Sequence, residues 1–295
     1  MNQVELRALA KINLGLDVLG RRENGYHDVR MIMQSIYLYD EVKIEKMSIP
    51  GVEVATNLDY LPTGGDNIAY KAAKLLRDEF RISDGVKITL NKHIPVAAGL
   101  AGGSSNAAAV LFGMNRMFRL GLSQKSLMDR GLKLGADVPY CIMRGTVLAE
   151  GIGEELKPLP DMPKCTVLIA KPPVSVSTKA VYEALDSKEI TAHPDIDAII
   201  KGLEQHDLRK IAGAMGNVLE DVTIPMHPVI ARIKQEMIEA GALGAMMSGS
   251  GPTVFGLFAS RSSAREAQKR IREKALTRQV YVTNMHSVRR NQHGG

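Results

Sequence analysis

The sequence predicts an α+β protein with two domains. Strand and helix patterns both occur in the first half of the chain, and they do not alternate in the strict order of a parallel doubly wound sheet. At about 150 residues per domain, a chain of 295 residues corresponds to two domains. The composition, with 45% hydrophobic and 24% charged residues, excludes a collagen, a coiled coil and a disordered chain.

The first half contains predicted strands and one predicted helix. Apolar and polar residues alternate over residues 4–8 and again over 86–90, which is the period of a half-buried strand. Residues 31–45 are typical of a further strand. Residues 67–76 carry apolar side chains at helical spacing, and Asp66 precedes them as a candidate N-cap. We therefore expect a helix that Asp66 caps.

A domain boundary is expected near residue 160. Residues 151–163 are rich in glycine and proline, and the apolar run at 166–170 indicates a new buried strand. The predicted domains are therefore 1–160 and 161–295. Residues 289–295 are expected to be a frayed tail.

The second half is expected to form a small antiparallel sheet backed by helices. Residues 253–258 and 280–282 are predicted strands. Pro228 suits the first turn of a helix that runs to residue 240. Ser263 and Glu266 have the spacing of a capping box, which predicts that a further helix begins there.

The net charge of +6 would suit an anionic partner or substrate, but its distribution does not predict nucleic-acid binding. Basic residues are spread along the chain, and the densest cluster, at 269–274, is expected on an exposed helix face. The chain has no Trp, and 8 Tyr and 5 Phe are few for a surface that stacks on bases. We expect no nucleic-acid partner.

The sequence also predicts a cytoplasmic protein without a membrane segment. Two uncharged stretches, 94–115 and 241–260, are interrupted by glycine, serine and proline, so neither is an apolar run of about 20 residues. The N-terminus lacks the basic and apolar regions of a signal peptide. Cys141 and Cys165 are too few for a disulfide framework, which favours a reducing compartment.

The most informative segment is a glycine-rich stretch at residues 95–105, the phosphate loop, which reads PVAAGLAGGSS and is followed by a helix-forming NAAA. Glycine lets a backbone approach a bulky anion, and serine hydroxyls can donate to it. A helix that begins here would direct its unpaired N–H groups and its positive dipole end at a phosphate. A second loop of small residues lies at 247–252. A plain glycine-rich turn with a serine cap is the alternative interpretation.

Other common catalytic signatures are absent from the sequence. It contains no G-x-x-x-x-G-K-[ST], G-x-G-x-x-G, H-E-x-x-H, C-x-x-C or G-x-S-x-G. Walker-type ATPases, Rossmann dehydrogenases, zinc proteases and α/β-hydrolases are therefore disfavoured.

The phosphate loop and the loop at 247–252 resemble two motifs of the GHMP kinases. This family includes galactokinase, homoserine kinase and the mevalonate and phosphomevalonate kinases. The family's N-terminal motif is matched by AKINLGL at 10–16. NGYHD at 24–28 and GADVP at 135–139 resemble, in the expected order, the members that phosphorylate a cytidine-diphosphate-linked methylerythritol. The resemblance covers essentially the whole chain. It implies an N-terminal domain like ribosomal protein S5, a C-terminal ferredoxin-like α+β domain, and an active site in the cleft between them.

The resemblance implies that Lys11 and Asp137 are the catalytic residues. Lys11 would stabilise charge on the transferring phosphoryl group, and Asp137 would position and deprotonate the acceptor hydroxyl. From the residues alone, a solvated lysine is the simpler interpretation of Lys11, and a turn or helix-cap carboxylate is the simpler interpretation of Asp137. ATP as the phosphoryl donor and Mg²⁺ are the implied cofactors.

The resemblance also implies the binding residues. Tyr26 would stack on cytosine, His27 would hydrogen-bond its edge, Tyr182 would be a second stacking face, and Asn13 would line the acceptor pocket. Asn67 would lie at the adenine, although a helix cap is its simpler interpretation, as a buried helix tyrosine is for Tyr182. The remaining implied residues bind ATP and its phosphates (Pro95, Val96, Ala97, Ala98, Gly99, Leu100, Ala101, Gly102, Gly103, Ser104 and Ser105) or form the C-terminal glycine loop (Ser248, Gly249, Ser250 and Gly251).

One residue departs from a common family pattern. Many members carry an aspartate after the two serines, where this chain has Asn106. The change removes a negative charge near the phosphates and puts the Mg²⁺ environment in doubt, so no metal ligand is assigned.

Several functions remain open at this point. The preferred one is a kinase for the cytidine-linked acceptor, working as a monomer or homodimer. The alternatives are a homoserine or mevalonate kinase, a nucleotide-binding regulator without catalysis, and a basic RNA-binding protein.

Overall fold

The structure, a computed structural model, describes residues 1–288 and mixes strands with helices along the chain, which confirms the predicted α+β class. Within the described residues the strands are β1 (Gln3–Arg21), β2 (His27–Met47), β3 (Val52–Thr56), β4 (Gly85–Asn91), β5 (Thr146–Glu150), β6 (Glu155–Pro158), β7 (Thr166–Lys171), β8 (Gly216–Asn217), β9 (Gly244–Met247), β10 (Val254–Phe258) and β11 (Gln279–Asn284). The helices are α1 (Ile68–Glu79), α2 (Gly102–Phe118), α3 (Gln124–Leu132), α4 (Asp137–Met143), α5 (Thr178–Leu185), α6 (Ile196–Glu204), α7 (Leu208–Ala214), α8 (Glu220–Met226), α9 (Val229–Glu239) and α10 (Arg261–Glu273). The tail predicted at 289–295 lies outside the described residues.

The chain divides into two compact units, each assembled from separate segments. The first unit consists of Met1–Ala10, Leu38–Val96 and Ala101–Met143. The second consists of Lys11–Tyr37, Ala97–Leu100 and the described residues from Arg144 onward. Both β1 and β2 contribute to each unit, so these units do not follow a single cut in the chain. The domain boundary near residue 160 stays a prediction.

In the first unit, helices pack on strands whose apolar residues alternate. β4 pairs antiparallel with β2 and parallel with β3, and the predicted strand at 86–90 buries every second residue. α1 packs against α2, and α2 packs against α4. Gly113 of α2 lies so close to the sheet that an added Cβ would come within 2.4 Å of Ile44. This close packing of α2 fixes the helix that follows the phosphate loop.

Two helix starts differ from the predictions. Asp66 does not cap α1; Asn67 does, because its Oδ1 accepts the N–H of Ala69 at 2.9 Å. Ser263 does not open α10 either, since Ser260 is the N-cap and accepts the N–H of Ser263. In both cases several polar residues next to the helix could have capped it, and sequence spacing alone did not choose among them.

In the second unit, β11, β7, β10 and β9 form the predicted antiparallel sheet in that order. α9 and α10 pack on its strands, and α9 begins directly after Pro228, as predicted. Residues Gly15 and Leu16 of β1 pair in parallel with β8.

The basic cluster at 269–274 is more than a solvated helix face. Arg270 donates to the buried carboxylate of Glu236 on α9 at 3.0 Å, and Lys274 donates to the same carboxylate at 2.5 Å. The two cations therefore hold α10 against α9.

Within residues 1–288, no helix combines the length and apolar character needed to cross a bilayer. Cys141 and Cys165 are both buried free thiols.

Candidate active site

Lys11 and Asn13 are polar residues in the most buried stretch of β1. Two residues apart on a strand, they project from the same face. Lys11 is only 5% exposed, and its ammonium donates to the Asn13 side-chain oxygen at 2.8 Å. The Asn13 amide nitrogen contacts the Met31 sulfur at 3.2 Å. The interpretation of Lys11 as a solvated lysine is therefore wrong, because burying a charged group is costly unless it is paired or used.

Gly99 of the phosphate loop meets the C-terminal glycine loop beside this lysine, and both belong to the second unit. Ser248 donates its hydroxyl to the Gly99 carbonyl at 3.0 Å. A Cβ on Gly99, whose φ is +72°, would come within 2.2 Å of the Ser248 carbonyl oxygen. A Cβ on Gly249, at φ +59°, would lie 3.6 Å from the Lys11 ammonium and 3.7 Å from the Asn13 oxygen. Only glycine allows this approach of the two backbones, and it brings five predicted site residues together.

The phosphate loop has the backbone of an anion-binding turn. Ala97, Gly99 and Ala101 all have φ between +50° and +72°, and Ala101 is the N-cap residue of α2. Since alanine has no side-chain acceptor, no side chain of the cap residue satisfies the first-turn N–H groups. The predicted loop that leads into a helix is confirmed, and the positive end of α2 is available to a phosphate.

The two serines of the phosphate loop differ in their surroundings. Ser105 is buried, its hydroxyl donates to the Leu9 carbonyl at 2.7 Å, and its N–H bonds to the Ala101 carbonyl. Ser104 is half-exposed. Ser105 thus ties α2 to β1, whereas Ser104 is the more accessible hydroxyl.

Asn106 belongs to a buried polar cluster that the sequence analysis missed. Its amide nitrogen donates to the Asp40 carboxylate at 2.9 Å, and its oxygen accepts from the Lys92 ammonium at 2.7 Å. Lys92 also forms a buried ion pair with Asp40. The Asp40 carboxylate accepts two backbone N–H groups as well, from His93 and Ile94. Asn106 therefore lies in a cluster with one carboxylate and one ammonium, and an aspartate there would add a second buried negative charge.

Asp137 is the first residue of α4 and is half-buried. A carboxylate at this position interacts favourably with the helix dipole, so the interpretation as a helix-start residue fits the structure. α4 packs against α2, the helix that follows the phosphate loop.

The predicted nucleobase residues Tyr26, His27 and Tyr182 lie in the second unit. His27 is held between two groups: its Nε2 lies 2.6 Å from the Asp186 carboxylate, and its ring lies 4.8 Å from the Tyr182 ring. Arg21 pairs with the other Asp186 oxygen at 3.2 Å. Tyr26 is 59% exposed, and Tyr182 is half-exposed on α5 rather than buried. Asp186 was missed by the sequence analysis, although its spacing of four residues from Tyr182 on a helix was a usable signal.

Asn67 is engaged in the fold. Besides capping α1, it donates to the Pro62 carbonyl at 2.7 Å. The capping interpretation is confirmed, and a contact with adenine stays a prediction.

The described residues, 1–288, contain no group of three or more His, Cys, Asp or Glu side chains that could hold a metal ion. Mg²⁺ nevertheless fits the chemistry of such a site, because it usually takes most of its ligands from phosphate oxygens and water and only one or two from carboxylates.

Comparison with known proteins identifies relatives over the whole chain. Residues 67–145 match the family model of the GHMP kinases N terminal domain, and residues 199–276 match that of the GHMP kinases C terminal region. The chain is 56% identical to a 4-diphosphocytidyl-2-C-methyl-D-erythritol kinase of Lachnospira eligens, over 96% of this chain and 98% of that protein. It is 32% identical, with a TM-score of 0.82, to a crystal structure of 4-(cytidine 5'-diphospho)-2C-methyl-D-erythritol kinase, over 97% and 100% of the two chains. A homoserine kinase from Cytophaga hutchinsonii, at 20% identity and a TM-score of 0.79 over 97% and 95% of the chains, shares the fold.

Proposed function

This chain belongs to the GHMP kinase family, and we infer that it transfers the γ-phosphoryl group of ATP to the 2-hydroxyl of 4-diphosphocytidyl-2-C-methyl-D-erythritol. The products are the 2-phosphate and ADP, and the reaction belongs to the non-mevalonate isoprenoid pathway. The near-full-length relationship to kinases of that name favours this acceptor over homoserine or mevalonate, and favours an enzyme over a regulator without catalysis. The observation from the structure that carries the proposal is the buried ammonium of Lys11 beside two glycine loops.

We propose that Lys11 stabilises the transferring phosphoryl group. Phosphoryl transfer needs alignment and neutralisation of negative charge more than covalent chemistry by the protein. A compact ammonium in a site of low dielectric is effective for this purpose. The hydrogen bond to Asn13 orients it, so its charge is preorganised rather than gathered during the reaction.

Asp137 is proposed as the general base. As the acceptor oxygen forms its bond to the γ-phosphorus, the bond from that phosphorus to the leaving ADP oxygen breaks, and the hydroxyl proton passes to the carboxylate. Asp137 is half-buried at the first position of α4.

The phosphate loop is proposed to hold the ATP phosphates through the backbone of α2 and the Ser104 hydroxyl. Mg²⁺, when bound with ATP, would neutralise charge on the phosphates and take most of its ligands from phosphate oxygens and water. The enzyme is expected to work in the cytoplasm as a monomer or homodimer, without a nucleic-acid or membrane partner.

Cytosine recognition is proposed to depend on Tyr26, Tyr182 and the orientation of His27. We propose that His27 donates from Nε2 to the Asp186 carboxylate 2.6 Å away, which would leave Nδ1 of a neutral ring as an acceptor. Cytosine presents an exocyclic amino donor where uracil presents a carbonyl. An acceptor at His27 therefore selects cytosine.

The test measures ADP release with ATP and Mg²⁺ against the cytidine-linked acceptor, homoserine, mevalonate and galactose in parallel. Turnover is expected with the first acceptor alone. Asp137→Asn should lower kcat by about 10²- to 10⁴-fold with little change in the KM for ATP, whereas Asp129→Asn, on an exposed turn of α3, should be unaffected. Wild-type turnover with homoserine or mevalonate instead would overturn the proposed acceptor, and normal turnover of Asp137→Asn would remove that residue from the mechanism.

A further inference from the structure

Asn217 uses its whole side chain to hold the C-terminal glycine loop. It lies in β8 and is 7% exposed. Its amide nitrogen donates to two carbonyls, those of Met247 at 2.9 Å and Gly249 at 2.8 Å, and its oxygen accepts the N–H of Leu219 at 3.0 Å. Both donor hydrogens and the acceptor are therefore engaged, which is the arrangement expected of a buried amide that fixes a backbone.

Glu220, three residues after Asn217, binds the N–H of Met247, whose carbonyl Asn217 binds. One carboxylate oxygen accepts the N–H of Met247 at 2.7 Å, and the other accepts from Lys234 at 2.5 Å. The N–H and the C=O of Met247 are thus bound to two side chains of one short segment. Asn217 and Glu220 together are called the 217/220 clamp.

The clamp also has a defined position relative to the strand that carries Lys11. Asn217 pairs in parallel with Leu16 of β1, and the N–H of Val218 donates to the Leu16 carbonyl at 3.1 Å. The same strand bears Lys11 and Asn13. The amide of Asn217 therefore links the register of β1 to the position of Gly249.

Gly249 is the residue whose position matters for chemistry. It lies next to the Lys11 ammonium, and glycine at φ +59° has no side chain with which to anchor the loop. Its carbonyl accepts from the side-chain amide of Asn217, and this hydrogen bond holds its backbone directly. Because phosphoryl transfer depends on alignment, a loop displaced by about 1 Å can cost about 100-fold in rate.

We propose that Asn217, assisted by Glu220, is a positioning residue for phosphoryl transfer, which it controls by holding the C-terminal glycine loop beside Lys11. This proposal rests on the proposed kinase function. Asn217 does not have to touch a substrate for it. Its effect is expected on kcat, with the KM for each substrate little changed.

The test compares Asn217→Ala with Asn115→Ala. Asn115 lies in α2, in the first unit, and also binds loop backbone through both polar atoms of its side chain. Its amide nitrogen donates to the Leu122 carbonyl at 2.9 Å, and its oxygen accepts the Leu122 N–H at 3.0 Å. We expect Asn217→Ala to lower kcat by about 10- to 100-fold with KM values for ATP and acceptor within about 3-fold. Asn115→Ala should keep the wild-type kcat, and both variants are assayed at a temperature where circular dichroism shows them folded.

A second pair of variants decides the matter if Asn217→Ala does not fold. Glu220→Gln keeps an oxygen that can accept the Met247 N–H, so kcat should stay near wild type, whereas Glu220→Ala should lower it by about 10-fold. A kcat for Asn217→Ala equal to that of Asn115→Ala, or equal values for the two Glu220 variants, would overturn the positioning role. Absence of wild-type turnover on the cytidine-linked acceptor would overturn the proposed function itself, so the two failures are distinguishable.

Discussion

The Lys92→Met substitution tests whether charge holds together the buried cluster of Asp40, Lys92 and Asn106. The side chain of Asp40 is fully buried and that of Lys92 is 5% exposed. Methionine fills a similar volume without an ammonium, so the substitution leaves a buried carboxylate without its counterion.

The expected cost follows from what remains around Asp40. Removal of one partner of a buried ion pair typically costs about 3–5 kcal/mol. Asp40 keeps hydrogen bonds from the N–H groups of His93 and Ile94 and from the Asn106 amide, which favours the lower end of that range. At about 2–4 °C per kcal/mol for a chain of this size, the thermal midpoint should fall by about 10 °C.

The assay is thermal unfolding followed by circular dichroism, with two comparison variants. Lys74→Met removes one partner of an exposed pair on α1 and should cause no measurable shift. Adding Asp40→Asn to Lys92→Met removes the orphaned charge, so at least half of the lost stability should return. A shift for Lys92→Met as small as that for Lys74→Met, or no recovery in the double variant, would refute the reasoning.

Three further outcomes are expected. Gly99→Ala should lower kcat by at least about 100-fold, because the added Cβ would meet the Ser248 carbonyl. Gly121→Ala is the control, since Gly121 has nearly the same φ but an added Cβ there has no atom within 4 Å, and this variant should keep its activity. Equal kcat values for the two variants would show that the contact between the loops is not needed. Asp186→Ala should reduce the ratio of kcat/KM for the cytidine acceptor to kcat/KM for its uridine analogue by about 10-fold, as measured by ADP release. An unchanged ratio would mean that Asp186 does not set the orientation of His27. Burial raises the pKa of the Cys165 thiol to about 12, so iodoacetamide at pH 8 should modify Cys165, as read by mass spectrometry, only under unfolding conditions. Because the unfolded thiol ionises near its ordinary pKa of about 8.5, the raised value also makes folding less favourable as the pH rises above about 9, and rapid labelling of the native protein would contradict the buried position.

Local patterns were sufficient for the longer strands and for some helices, whereas β3, β5, β6, β8 and β9 were not predicted. Alternation at 4–8 and 86–90 corresponds to β1 and β4, and Pro228 lies at the start of α9. These signals come from neighbouring residues and from the period of one face, so they are readable in a sequence. The N-cap residue of α1 could not be predicted from the sequence, because Asp66 and Asn67 are both good caps and only the backbone conformation decides between them.

The sequence by itself determined the chemistry that this protein can offer: an anion-binding glycine loop, a lysine on a strand, and motifs of a kinase family in their expected order. The tertiary structure decided which polar residues support that chemistry. Asp40 meets Asn106 across 66 positions of the chain, His27 meets Asp186 across 159, and Asn217 meets Gly249 across 32. Whether such a side chain is solvated or fixes a loop depends on burial and on remote partners, and neither is a property of the neighbouring sequence.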